Sequence, residues 1–125
     1  MDKKIVSTDK APAAVGTYSQ GVEYNGVIYF SGQIGLDPES MQMKPDFVEQ
    51  LNQIMKNIDG LLESQDMKRE NIIKTSIFVT DLANFGEVNK AYEAYFSKPY
   101  PARSCVQVPA LPKDALVEIE VIAAR

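Results

Sequence analysis

The chain has 125 residues, 45% hydrophobic and 24% charged, enough for one core, too short for two comfortable domains, and unlike disordered or collagen-like chains. Its 17 acidic against 13 basic residues leave a formal charge of -4, with no local cluster of Lys or Arg to reverse it, so nucleic acid is not an expected partner. It contains no His, which removes the usual Ser and Cys triads, His-ligated zinc and imidazole acid–base steps.

In chain order, MDKKIVSTDK has charges but no apolar segment behind it, and apolar runs such as VIYF fall far below membrane-spanning length. The expectation is a cytoplasmic protein with no membrane partner. The single Cys105 fits a reducing compartment, although a bridge between two copies is not excluded by counting. No internal repeat or low-complexity tract divides residues 1–125, which predicts one domain.

In SQGVEYNGVIYFSGQIG, Asn25-Gly26 sits between two β-rich runs, and this pair tolerates the positive φ angles of a type I′ hairpin turn. Strands are predicted over 19–24 and 27–33. DFVEQLNQIMKNIDGLLES then carries Phe47, Leu51, Ile54, Met55, Ile58, Leu61 and Leu62 at helical spacing, with Asp46 and Glu49 placed as a capping box. NIIKTSIFVT reads as a central strand with two largely apolar faces. A second helix is predicted over NFGEVNKAYEAYFS, capped by Asn84 with Glu87 and ended by Pro99 and Pro101. YPARSCVQVPALP and ALVEIEVIAA supply two closing strands, split by PALPKD.

This order gives an α+β fold with both helices on one side of a mixed sheet. Two helices cover one face only. Val27 and Tyr29 oppose Ile28 and Phe30, and Ile73, Ile77 and Val79 oppose Ile72 and Phe78, so the bare face is also partly apolar and another subunit is expected to shield it.

Arg103 is the first candidate for chemistry, because a guanidinium offers a planar fork for a carboxylate; an edge-strand surface ion pair is the plain alternative. Strand alternation sets Arg103, Cys105 and Gln107 on one face and Ser104, Val106 and Val108 on the other. Glu118 and Glu120 alternate with Val117, Ile119 and Val121, so both project away from the core. Either could serve as an acid or base near the arginine, and alternation does not choose between them. Cys105 is either a thiol tuned by Arg103 or a small buried hydrophobe. Tyr18, Ser31 and Gly32 stand in glycine-bearing segments where a ligand can approach the main chain, while Asn89 lies on the polar side of the second helix.

Taken together, APAAVGTYSQGV, IYFSGQIGLDP, KTSIFVTDLANFGEVNKAYEAYF and PARSCVQVPALPKDALVEIEVIA resemble the RidA (YjgF) family of reactive-intermediate deaminases over nearly the whole chain. The most specific piece is Pro-Ala-Arg-Ser at 101–104 followed by an aliphatic-Glu-Ile triplet at 117–119. The resemblance implies a chorismate-mutase-like fold: a mixed sheet of about six strands, two helices on one face, and a homotrimer with a barrel-like core and clefts between subunits. It further implies hydrolysis of enamine or imine products of pyridoxal-phosphate enzymes, such as 2-aminoacrylate, to 2-keto acids and ammonia, with no cofactor and no metal.

By position, Arg103 matches the residue that clamps the substrate carboxylate and Glu118, rather than Glu120, the acid that positions the attacking water. Tyr18, Ser31, Gly32, Asn89 and the main chain of Cys105 match residues lining the same cleft. Thr17 in place of a usual proline, Pro109, and a short SKPYPARS loop depart from the family pattern and bear on substrate range. Two alternatives stand beside the deaminase: a regulatory trimer that holds a small carboxylate without hydrolysing it, and a ribonuclease or translation inhibitor.

Overall fold

The structure is a computed structural model that describes residues 2–125. Six strands form one sheet: β1 (Lys4–Val6), β2 (Gly21–Tyr24), β3 (Val27–Phe30), β4 (Ile72–Val79), β5 (Ala102–Gln107) and β6 (Val117–Ala124). Their spatial order is β1-β2-β3-β6-β4-β5. Only β4 and β5 pair in parallel; the remaining pairs are antiparallel. β4 is interior, flanked by β6 and β5, while β5 is an edge strand. Two long helices, α1 (Phe47–Ser64) and α2 (Phe85–Tyr95), connect β3 to β4 and β4 to β5. Among the described residues no helix is long and apolar enough to cross a membrane.

The hairpin turn forms as the Asn-Gly pair predicts, with φ of 57° at Asn25 and 81° at Gly26. The strand predicted over 27–33 is interrupted. Tyr29 pairs with Ile122 and Gln33 with Ile119, so residues 29–33 take one more step than residues 122–119, and the ladder bulges around Ser31 and Gly32.

Helix α1 starts where Asp46 Oδ1 accepts from the Glu49 backbone N–H at 2.9 Å. Its buried side carries the predicted apolar stripe and also Gln50, Gln53 and Asn57. The expected cap on α2 does not form: the Asn84 side chain makes no cap bond. Asp81 instead accepts from the Ala83 N–H in the 3-10 turn leading into the helix, because that turn already fixes the first free N–H groups. Val88, Tyr92 and Tyr95 of α2 join Leu51, Ile54, Ile58 and Leu61 of α1 over Ile77, Val79, Val117 and Ile119 of the sheet. Both helices thus lie on one face, as expected.

Two details of β4 depart from simple alternation. Its register to β6 shifts between Ile72 and Lys74, and this bulge buries Ile72 while leaving Ile73 49% exposed. Ile73 therefore does not share the face of Ile77 and Val79. The uncovered side of β4 is also more polar than predicted, with Lys74 Nζ donating to Ser76 Oγ and Ser104 Oγ. Elsewhere the bare face is apolar. Ile5, Val22, Tyr29 and Ile122 follow one another in register across four strands, with Ile5 and Tyr29 more than half exposed.

Candidate functional site

Sheet register fixes which way the two charged candidates point. Arg103 is paired with Thr75, and Thr75 with Val121; Thr75 and Val121 are buried beneath the helices. Glu118 is paired with Phe78, and Phe78 with Val106, three residues beyond Thr75, an odd step that puts Glu118 on the uncovered face. Within one chain Arg103 and Glu118 thus lie on opposite sides of the sheet, separated by β4. This corrects the expectation that one of the glutamates of β6 lies near the arginine face of the neighbouring strand: β4 stands between β6 and β5.

The candidates divide accordingly. Tyr18, Ser31, Gly32 and Glu118 line one cavity of about 400 Å³, together with Gln20, Gln33 and the apolar Val15, Ile34, Leu36 and Met41. Asn89 and Arg103 line another of about 530 Å³ with Tyr92, Glu93, Tyr100 and Pro101.

In the first cavity, the bulge brings Gly32 against Glu118. A Cβ on Gly32 would stand 2.0 Å from Glu118 Oε2, so only the bare Cα leaves the carboxylate in place. No described residue donates a hydrogen bond to this carboxylate, and burial, then the charge of Glu120, raises its pKa above the ordinary carboxylate value. A carboxyl tuned upward is better matched to taking and returning a proton near neutral pH. Ser31 is committed to the loop before it: its Oγ donates to Ser19 O at 2.6 Å and its N–H to Gln20 O at 2.9 Å. Gln20 organises the same loop, accepting from Thr8 N–H and donating to the carbonyls of Thr8, Ala11 and Pro12. Tyr18, at the end of that loop, is 52% exposed.

In the second cavity, Arg103 Nη1 donates to Asn89 Oδ1 at 2.7 Å. Its guanidinium carbon lies 5.2 Å from the ring centres of both Phe85 and Tyr92, a cradle of π faces for a cation. The Tyr92 hydroxyl donates to buried Thr75, and burial raises its pKa to about 12, so the ring is a neutral fixture. One edge of the guanidinium is thus anchored, and among the described residues no carboxylate pairs with Arg103. Cys105 shares this side of β5, half-buried against the core. Burial raises its thiol pKa despite the opposing pull of Arg103, which disfavours the thiolate.

Sequence reasoning missed Gln20, Gln33, Phe85 and Tyr92. Phe85, Val88 and Tyr92 recur at helical spacing in NFGEVNKAYEAYFS and so read as core, and nothing in that spacing says that the two rings also hold an arginine. The buried amides of α1 did carry a signal: Gln50 and Asn57 fall on the apolar stripe, where an amide needs a partner. Gln50 accepts from Leu116 N–H and donates to Lys44 O, and Asn57 donates to Leu36 O, tying α1 to the loops around the Glu118 cavity. Among the described residues no group of three His, Cys, Asp or Glu side chains is arranged for a metal.

Residues 8–125 match the family model described as Endoribonuclease L-PSP. A deaminase from mouse, named 2-iminobutanoate/2-iminopropanoate deaminase, is 45% identical over 98% of this chain and 92% of its own. The chain belongs to this family, that of RidA and YjgF. A RutC family protein of Aquifex aeolicus is 48% identical over 96% of this chain and 98% of its own. The crystal structure of RidA from an Antarctic Psychrobacter superposes with a TM-score of 0.95 at 44% identity, covering 98% and 99% of the two chains. The mixed six-stranded sheet with two helices is therefore the RidA fold, as the sequence resemblance implied.

Proposed function

We propose that this chain hydrolyses small 2-imino acids to 2-keto acids and ammonia, in clefts formed between the subunits of a homotrimer. The observation that carries the reading is the division of the site. Arg103 and Glu118 each face an open cavity, one on either side of the same sheet, and the bare face beside Glu118 carries the apolar row of Ile5, Val22, Tyr29 and Ile122. A second copy laid on that face buries the row and supplies the arginine that its neighbour lacks. The name of the mouse relative supports the same reaction.

In this reading Arg103, steadied by Asn89 and the two rings, takes the substrate carboxylate and fixes the electrophilic C2 carbon over the neighbouring Glu118. Glu118 accepts a proton as water adds to C2 and returns it to the nitrogen as ammonia leaves. Tyr18 and Gly32 border the reacting atoms, Ser31 holds the loop that carries them, and the main chain of edge strand β5 at Cys105 is available to the substrate. No covalent nucleophile is required, and no cofactor takes part. The lone thiol suits a cytosolic setting.

A coupled assay with imines generated in place from amino-acid precursors tests the proposal. Turnover by the wild type that is lost in both Arg103→Ala and Glu118→Ala, with sedimentation at trimer mass, supports it; a monomer, or variants at wild-type rates, refutes it. The anchored Arg103 would serve a non-catalytic carboxylate-binding trimer equally well, and 2-keto acid binding without turnover would favour that second reading. The acidic surface and missing His weigh against a ribonuclease.

A further inference from the structure

The row of residues across the bare face does not end at Ile122. Its next member, on β4, is Lys74, paired with Ile122 on one side and Ala102 on the other. A copy that covers Ile5, Val22, Tyr29 and Ile122 therefore meets a cation at the end of the row. Among the described residues Lys74 makes no ion pair. Its Nζ leans toward β5, 3.2 Å from Thr75 O and from Ser76 Oγ and 3.4 Å from Ser104 Oγ, three long contacts to neutral acceptors. Glu120 is the next residue of β6 on the same face, two before Ile122 and in register with Ser76. It too is without an ion pair among the described residues, and its charge is felt at Glu118. A copy laid over this face takes both charges out of water, which is costly unless each finds its opposite.

We infer that Lys74 of one copy pairs with Glu120 of the next at every interface of the ring. The inference rests on the trimer of the proposed function and names what its buried face recognises. Arg103 lies in register with Thr75, the residue after Lys74, and Glu118 lies two residues before Glu120. Bringing Arg103 to a neighbour's Glu118 therefore also brings together the strands that bear Lys74 and Glu120. Both contacts run from the β4–β5 side of one copy to β6 of the next. Two different surfaces meeting in one direction is the head-to-tail arrangement that closes a ring. The apolar row supplies attraction without register; the charge pair supplies register, because a copy that slides or reverses buries both charges unpaired.

Lys74→Gln and Glu120→Gln each remove one charge from the surface of the single chain. Sedimentation on dilution, in enough urea to bring wild-type dissociation into range, should show each variant dissociating at a concentration about tenfold higher or more. Lys74→Glu and Glu120→Lys should each dissociate more readily still, and the two reversals combined in one chain should restore the trimer. A pair within one chain would be restored by that combination as well, so the two reversed chains are also unfolded together and refolded. A mixed ring has two matched contacts and one mismatched, whereas a ring of either chain alone has none matched. More trimer in the mixture than in either chain alone supports the inference; no gain overturns it. Gln variants within about threefold of wild type overturn it too, and because they carry no reversed charge they test it even where a reversal prevents folding. A wild-type trimer indifferent to both Gln variants strikes the ion pair alone, whereas a monomeric wild type overturns the trimer with it.

Discussion

Gly32 and Glu118 occupy one small volume: a Cβ on Gly32 would lie 2.0 Å from Glu118 Oε2 and 2.9 Å from its Cδ. The colliding atoms are the far end of a flexible side chain, so the fold can absorb a methyl group by swinging the carboxylate away. Gly32→Ala is expected to keep stability within about 1 kcal/mol of wild type while imine turnover drops at least as far as a misplaced catalytic group implies, about a hundredfold. Thermal melting and the coupled assay, run side by side, check this.

Glu118 binds its proton more tightly in the folded chain than in the unfolded one, because burial and the charge of Glu120 both oppose ionisation. The folded state thus holds the extra proton, and stability falls as pH rises from the ordinary carboxylate range through the raised pKa. Glu118→Gln removes this penalty. Its melting temperature should exceed that of the wild type at about pH 7, and the gap should close toward about pH 3, below the ordinary carboxylate value, where both states of the wild type are protonated. A gap that is constant with pH would refute the assignment.

Gly60 lies in the buried part of α1, where a Cβ would come within 2.2 Å of Lys10 O and 2.9 Å of Lys10 C. Helix propensity alone makes Ala better there by about 1 kcal/mol. The obstacle is backbone rather than a side-chain tip, so Gly60→Ala should instead destabilise by about 2 kcal/mol, measurable by urea unfolding.

Asn57 is fully buried; it donates to Leu36 O at 2.9 Å and accepts from Gln53 Nε2 at 2.9 Å. Asn57→Leu keeps the branched outline but strands both partners, at a cost of about 2–3 kcal/mol. Leu36 lines the Glu118 cavity, so turnover should fall as well. Urea unfolding and the coupled assay together check both effects.

The elements were legible because each rests on a local rule: the Asn25-Gly26 turn, the 3.6-residue stripe of α1, the β-branched run of β4. The family signature likewise gave Arg103 and Glu118. What the sequence concealed is geometric. The bulge around Ser31 and Gly32 depends on how β3 registers on β6, residues about 90 apart. The insertion of β6 between β3 and β4 depends on long-range pairing and no single segment announces it. That insertion separates the two charged candidates, and strand alternation, which treats each strand alone, is blind to it.

If the proposed trimer forms, the placement of Arg103 and Glu118 on opposite sides of one sheet should make two inactive variants mutually curative. In the proposed ring of three, with its clefts shared between neighbouring subunits, an Arg103→Ala subunit would still carry a sound glutamate and a Glu118→Ala subunit a sound arginine. Unfolded together in equal amounts and refolded, about three quarters of the rings would be mixed, each with one cleft built from two unaltered halves, and roughly a quarter of native activity should return. A protein whose site lies within a single chain gains nothing from such mixing.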